Sequence, residues 1–239
     1  MIPNTHEDPV ATRWLDIAPG FAGYLALPPA GRGPAIVLFQ EIFGVNAHIR
    51  AVARQWALDG FVVLAPDLFH RRAPRIELAY SGDDHAQGMA LHQAYTHEEQ
   101  LADVAAAMAA ARALPETAGQ RCGALGFCMG GRLAFFAAAT AGADAAVAYY
   151  GGRIQDHLAL APQVKAPIQF HYAGDDAYIP PPAVDAVRAA FAGHVGAEVH
   201  VYPGTPHGFN CWSRESYEPR AAALAHGRAL QFLAAALNG

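Results

Sequence analysis

Lysine is nearly missing from this chain: Lys165 is the single lysine among 16 basic residues. The basic residues are scattered and outnumbered by 21 acidic ones, giving a formal net charge of −5 and a sequence pI near 6.1. Nucleic acid demands a basic face, so that class of partner is excluded. Charge of either sign is sparse, at 15% of residues against 53% hydrophobic, which leaves no room for a long disordered tail. Long apolar runs are absent too: none reaches the ~18–20 residues of a membrane span. The opening MIPNTHEDPVATRW lacks the charged-then-apolar order of a secretory signal. Cysteine is limited to Cys122, Cys128 and Cys211, with no C-x-x-C pair. Such an odd, sparse set excludes a disulfide scaffold and suits a reducing compartment, so a cytoplasmic location without membrane attachment is expected. The 12 histidines show no ligand spacing: His92 and His97 stand five apart and His85 has no H-E-x-x-H companion. No metal is expected.

What is present is a regular alternation of short buried strands and helical segments. The 239 residues suffice for one large α/β domain spanning 1–239, with 1–12 as a surface arm. Strands are expected at Phe21 to Leu27, Ala35 to Phe39, Phe61 to Ala65, Cys122 to Gly126, Asp144 to Tyr150, Ala166 to Ala173 and Ala197 to Tyr202. Helices are expected at about Asn46 to Asp59, after the Thr96-His97-Glu98-Glu99 capping box, from Met129, through Val184, Val187 and Phe191, and at the end through Leu230, Leu233 and Leu237. Residues 67–95 read as a long irregular stretch, placed at the rim of a pocket. Strands and helices in this order form βα units on a mostly parallel sheet with helices on both faces. In such sheets the site lies outside the carboxyl ends of the strands.

The chain is organised around Arg121 to Arg132, RCGALGFCMGGR. A buried strand runs straight into a helix through Gly126-Phe127-Cys128-Met129-Gly130, a G-x-C-x-G form of the nucleophile elbow. Cys128 is thereby lifted to the first turn of a helix, where free N–H groups and the dipole favour a thiolate. Downstream, Asp175 and Asp176 end one strand and His207 follows the next, giving the order nucleophile, acid, histidine. Either aspartate suits the acid role on spacing alone. Glu41 ends the strand beside the elbow, where a desolvated carboxylate seeks a proton or a donor such as the Cys128 thiol. The N–H groups of Ile42 and Met129 form the natural oxyanion hole.

These motifs resemble the dienelactone hydrolase (carboxymethylenebutenolidase) family of the α/β-hydrolase superfamily. The resemblance rests on Gln40 to Asn46, Pro66-Asp67-Leu68, Gly126 to Gly131, Tyr149-Tyr150-Gly151 and His207-Gly208-Phe209, in family order from about Phe21 to the last helix. It implies an α/β-hydrolase fold and a Cys128–His207–Asp176 triad, with Glu41 holding the resting thiol and taking its proton when substrate arrives. It implies hydrolysis of an enol-lactone through a thioester, no cofactor, and a small lactone or ester as the only partner, in a monomer or weak homo-oligomer. Tyr95 and Tyr149 match substrate-facing family positions, and Phe43 and Phe209 would line an apolar pocket. The family's two carboxylate-binding arginines are replaced: Gly88, Met89, Ala90 and Leu91 occupy one position and Cys211 the other, with Arg214 a candidate for the same space. A carboxylesterase on other small esters and a non-hydrolytic ligand-binding or redox-sensing member are the two alternatives.

Overall fold

The computed structural model describes residues 8–238. Eight strands occur among the described residues: β1 (Ala11–Ala18), β2 (Phe21–Leu27), β3 (Ala35–Phe39), β4 (Val62–Pro66), β5 (Cys122–Phe127), β6 (Ala146–Tyr149), β7 (Ile168–Ala173) and β8 (Ala197–Tyr202). They join one sheet in the order β1-β2-β4-β3-β5-β6-β7-β8. The two pairings made by β2 are antiparallel and the rest are parallel. The mostly parallel sheet expected from the alternation is therefore observed, in the α/β-hydrolase architecture that the family resemblance implies.

The described residues also form six α-helices, α1 (Ala47–Leu58), α2 (Gly82–Ala94), α3 (His97–Ala113), α4 (Met129–Thr140), α5 (Pro181–Ala190) and α6 (Pro219–Leu237), of which α1, α3, α4 and α6 pack on the strands. Helices cover both faces of the central strands, which is why β3, β4 and β5 read as unbroken apolar runs and are buried along their whole length. Each fully buried Val, Leu, Ile or Phe there contributes about 1.5–3 kcal/mol relative to exposure. The capping box at the start of α3 forms as the sequence predicts, Thr96 accepting from the Glu99 amide and Glu99 accepting from the Thr96 amide.

Two expectations need correction. The stretch 67–95 is not irregular throughout, because α2 occupies its second half. Only Gly88 of α2 is buried, so the helix has no apolar stripe to betray it. Ser81 before it and Asp83 and Asp84 in its first turn are the start signals it does carry. The arm ascribed to 1–12 runs instead into β1 at Ala11; residues 1–7 lie outside the described part. β1 is an edge strand with every residue exposed or half-exposed, which leaves almost no alternation to read.

Candidate active site

Strand order puts β3, β5, β7 and β8 so that their carboxyl ends open on one side, and each contributes a group to one cavity. The sharpest turn is at Cys128, between β5 and α4, with φ 56° and ψ −115°. A non-glycine residue held there costs about 1–3 kcal/mol and persists only where its surroundings enforce it. Here the Cys128 amide donates to the Tyr149 carbonyl at 3.0 Å, and the Cys128 carbonyl accepts from the Gly131 amide at 3.0 Å. Close backbone approach dictates the flanking glycines. A Cβ on Gly126 would lie 1.9 Å from the Gly130 carbonyl oxygen, and one on Gly130 would lie 2.1 Å from that of Phe39.

The loops after β7 and β8 are tied together by backbone hydrogen bonds, Gly174 N–H to Tyr202 at 2.8 Å and Asp175 N–H to Thr205 at 2.9 Å. That stitching resolves the choice of aspartate. Asp175 points out to solvent, while Asp176 Oδ2 lies 2.8 Å from His207 Nδ1. Asp176 Oδ1 is pinned by the amides of Tyr178 (2.8 Å) and Ile179 (3.1 Å), which orients the carboxylate toward the imidazole. On its other side His207 lines the same cavity as Cys128, near enough for the sulfur to act on its titration. Burial pulls the His207 pKa down, yet the Cys128 sulfur and the Asp176 carboxylate outweigh it and push it up to about 10. Imidazolium beside sulfur is thus the favoured arrangement.

Cys128 and His207 border a cavity of about 280 Å³. Ile42, Met129, Phe43 and Arg214 line it as well, so all four share one cavity with Cys128. The amides of Ile42 and Met129 have no protein acceptor among the described residues. Two free N–H groups beside the sulfur are the donor pair that a developing oxyanion requires.

Other expected positions fall elsewhere. Tyr95 is 2% exposed and spends its hydroxyl on Asp103 at 2.8 Å. Tyr149 is fully buried, donates to the Ala225 carbonyl at 3.1 Å and stacks on Phe127 and His171. Phe209 packs behind the site against Tyr150 and Tyr202. None of the three lines the cavity; their aromatic faces are already spent on the core. Nor does Glu41 hold the thiol. It is 1% exposed, with Oε1 3.2 Å from Arg214 Nη1 and Oε2 without a partner. For a buried carboxylate a guanidinium is the stronger partner, which leaves the sulfur to His207. The Arg214 guanidinium also lies over the rings of Phe43 (5.7 Å) and Tyr80 (5.5 Å).

Seven cavity residues were not among the expected site residues: His85, Met89 and His92 from α2, Arg132 from α4, Gly152, Arg153, and Tyr178, whose ring meets His207 edge-on at 5.1 Å. The first three recur at helical spacing, i, i+4 and i+7, and that pattern was the available signal. Gly88 lets α2 settle over the site, since a Cβ there would lie 2.7 Å from the Ile42 carbonyl oxygen. Burial and the nearby Arg132 and Arg153 hold His92 down at about 4, so it is neutral at physiological pH. Among the described residues, no group of three or more His, Cys, Asp or Glu is placed to hold a metal, and no helix is long and apolar enough to cross a membrane.

The profile of the dienelactone hydrolase family matches residues 21–237. A carboxymethylenebutenolidase from Pseudomonas putida is 38% identical over 216 residues, covering 90% of this chain and 91% of the relative. Carboxymethylenebutenolidase 1 from Cupriavidus pinatubonensis is 34% identical over 215 residues, with 90% and 91% covered. Among solved structures, a dienelactone hydrolase-like promiscuous phosphotriesterase from metagenomic libraries superposes with a TM-score of 0.83 at 24% identity, covering 95% of this chain and 99% of the other. That last likeness speaks to the fold alone.

Proposed function

The chain belongs to the dienelactone hydrolase family and is a carboxylic ester hydrolase, and from that premise we propose that it cleaves small lactones or activated esters through a thioester on Cys128. The observation that carries this reading is the line Asp176–His207–Cys128 at the wall of a cavity that also presents the Ile42 and Met129 amides. The Cys128 sulfur, stabilised as thiolate by the His207 imidazolium, attacks the ester carbonyl. Charge developing on the carbonyl oxygen is taken by the two free amides. As the intermediate collapses, His207 gives its proton to the leaving alkoxide or enolate, and the acyl group stays on sulfur. The thioester sulfur carries no charge, so the largest influence raising the His207 pKa is gone. The imidazole then falls toward its ordinary range and serves as general base for water. Hydrolysis of the thioester returns the carboxylic acid and the thiolate–imidazolium pair.

In this scheme the Glu41–Arg214 pair belongs to the thiolate form; in a resting thiol form Glu41 accepts the S–H hydrogen bond, and on activation the S–H proton passes to His207 while Glu41 turns back to Arg214. The cavity lies at the small end of ligand sites, which limits the substrate to a compact lactone or short ester.

A second reading, a carboxylesterase acting on other small esters, is favoured by one observation. The two positions matching the family's carboxylate-binding arginines hold Gly88 to Leu91 and Cys211. Turnover of p-nitrophenyl acetate, abolished in Cys128→Ala, tests the thioester route; undiminished turnover in that variant refutes it. Comparing kcat/KM for dienelactone with that for neutral esters then separates the two substrate readings.

A further inference from the structure

The cavity beside Cys128 is lined by three arginines and, among the described residues, by no acidic side chain. Two of the three are already matched with carboxylates: Arg214 with Glu41 at 3.2 Å and Arg153 with Asp156 at 2.8 Å. Arg132 is different. It is only 4% exposed, and its hydrogen bonds go to two neutral acceptors, the Gly152 carbonyl at 3.1 Å and Gln100 Oε1 at 3.3 Å. Its Nε is buried and has no partner. Among the described residues it forms no ion pair with any carboxylate.

A buried guanidinium without a paired carboxylate is costly, because the charge has left water and two neutral acceptors repay it only in part. Burial accordingly draws the Arg132 pKa down from its ordinary value. Its place in the fold says what the charge is kept for. Arg132 follows Cys128 by four residues along α4, one helical turn or ~6 Å from the nucleophile, and both side chains reach the same cavity. His92 on the facing helix stays neutral, so it does not compete for an anion.

We propose that Arg132 is a specificity-determining residue that receives a carboxylate of the substrate while the ester carbonyl sits on Cys128. This rests on Cys128 being the nucleophile. The compact cavity and the planar fork of a guanidinium both suit a carboxylate, held by the unpaired Nε edge. The competing role for Arg132 is support of a Cys128 thiolate, whose charge acts on it across the shared cavity. The two roles diverge in substrate dependence. A thiolate support acts on every ester alike, whereas a carboxylate receptor acts only on substrates that carry one.

The test compares 4-nitrophenyl hydrogen succinate, which bears a carboxylate on the acyl chain, with neutral 4-nitrophenyl acetate, in wild type, Arg132→Gln and Arg132→Lys. The ratio of kcat/KM for the anionic over the neutral ester is expected to fall about 10- to 100-fold in Arg132→Gln, the range for losing a charged hydrogen bond, mainly through KM, with partial recovery in Arg132→Lys. Equal losses on both esters overturn the proposal. Should Arg132→Gln fail to fold, the wild-type enzyme decides. Glutarate must inhibit acetate-ester hydrolysis competitively and at least about tenfold more strongly than its diamide; equal inhibition, or none, refutes the assignment. If wild type hydrolyses neither ester, the cysteine mechanism has failed rather than the anion site. Calorimetric titration of glutarate into wild type still reads that site, and the absence of binding there overturns it.

Discussion

Replacing Asp176 by Asn probes the alignment of the proposed triad with almost no change in shape. In the native arrangement Oδ1 accepts from two backbone amides, at 2.8 and 3.1 Å, and Oδ2 faces His207 Nδ1 at 2.8 Å. The two amides dictate how an asparagine must sit. Its carbonyl oxygen keeps both of them, so its NH₂ is turned toward His207. A donor now faces the nitrogen that carried a proton, and the imidazole must adopt the tautomer with Nδ1 bare and Nε2 protonated. That tautomer cannot take a proton from sulfur or water, and the negative charge that helped raise His207 toward 10 is gone. A rate loss of ~10³–10⁴ in kcat is expected, the size found where an aspartate-to-asparagine change flips a catalytic histidine. The fold should survive because both backbone hydrogen bonds are kept, with stability falling only by the share of the His207 linkage that the Asp176 charge supplies. The assay pairs steady-state p-nitrophenyl acetate hydrolysis with a thermal melt. Asp176→Asn retaining activity within about tenfold of wild type, with the fold intact, would refute the argument that Asp176 sets the tautomer.

Three further outcomes follow from the same geometry. Because the folded pKa of His207 lies above the unfolded value, its contribution to stability is complete below about pH 6.5 and fades as pH rises toward about 10; urea melts across this window should show wild type losing stability relative to His207→Gln, and parallel curves would contradict the shift. Glu41→Gln leaves Arg214 without its buried counter-charge, so the pH profile of kcat should move and Cys128 should oxidise faster in peroxide; an unchanged profile and oxidation rate would count against a switching role. Gly88→Ala forces a Cβ to within 2.7 Å of the Ile42 carbonyl unless α2 shifts, so kcat should drop about tenfold or more through the displaced Ile42 amide, and equal kcat would show that α2 gives way without disturbing that loop.

Much of this site is legible in the sequence because the chemistry sits at strand ends, where short apolar runs stop and polar residues begin. Cys128 and Glu41 each follow a run of that kind, His207 follows the last strand, and the G-x-C-x-G turn has few other uses. The choice of Asp176 over Asp175 needed the family resemblance, since spacing alone leaves both open; the structure shows why, with one carboxylate pinned inward and its neighbour serving through its backbone. What escaped was set by packing across the sheet. Tyr95, Tyr149 and Phe209 are the aromatic residues one expects in a pocket, but Asp103, Ala225 and the rings around Tyr150 claim them for the core. The cavity wall comes instead from α2, a helix with so little apolar patterning that it reads as loop. Arg132 was hidden for a different reason: on an apolar helix it looks like one more buried position, and only its missing counter-ion marks it out.

The thioester is the point on which the rest of the account stands, and acid quenching of the enzyme during turnover of a slow ester, followed by mass measurement of the intact protein and its peptides, tests it most directly. The account predicts a mass increase equal to one acyl group, confined to the peptide carrying Cys128 and absent from Cys128→Ala. An acyl group found on any other residue, or steady ester cleavage by the Cys128→Ala protein, would contradict it.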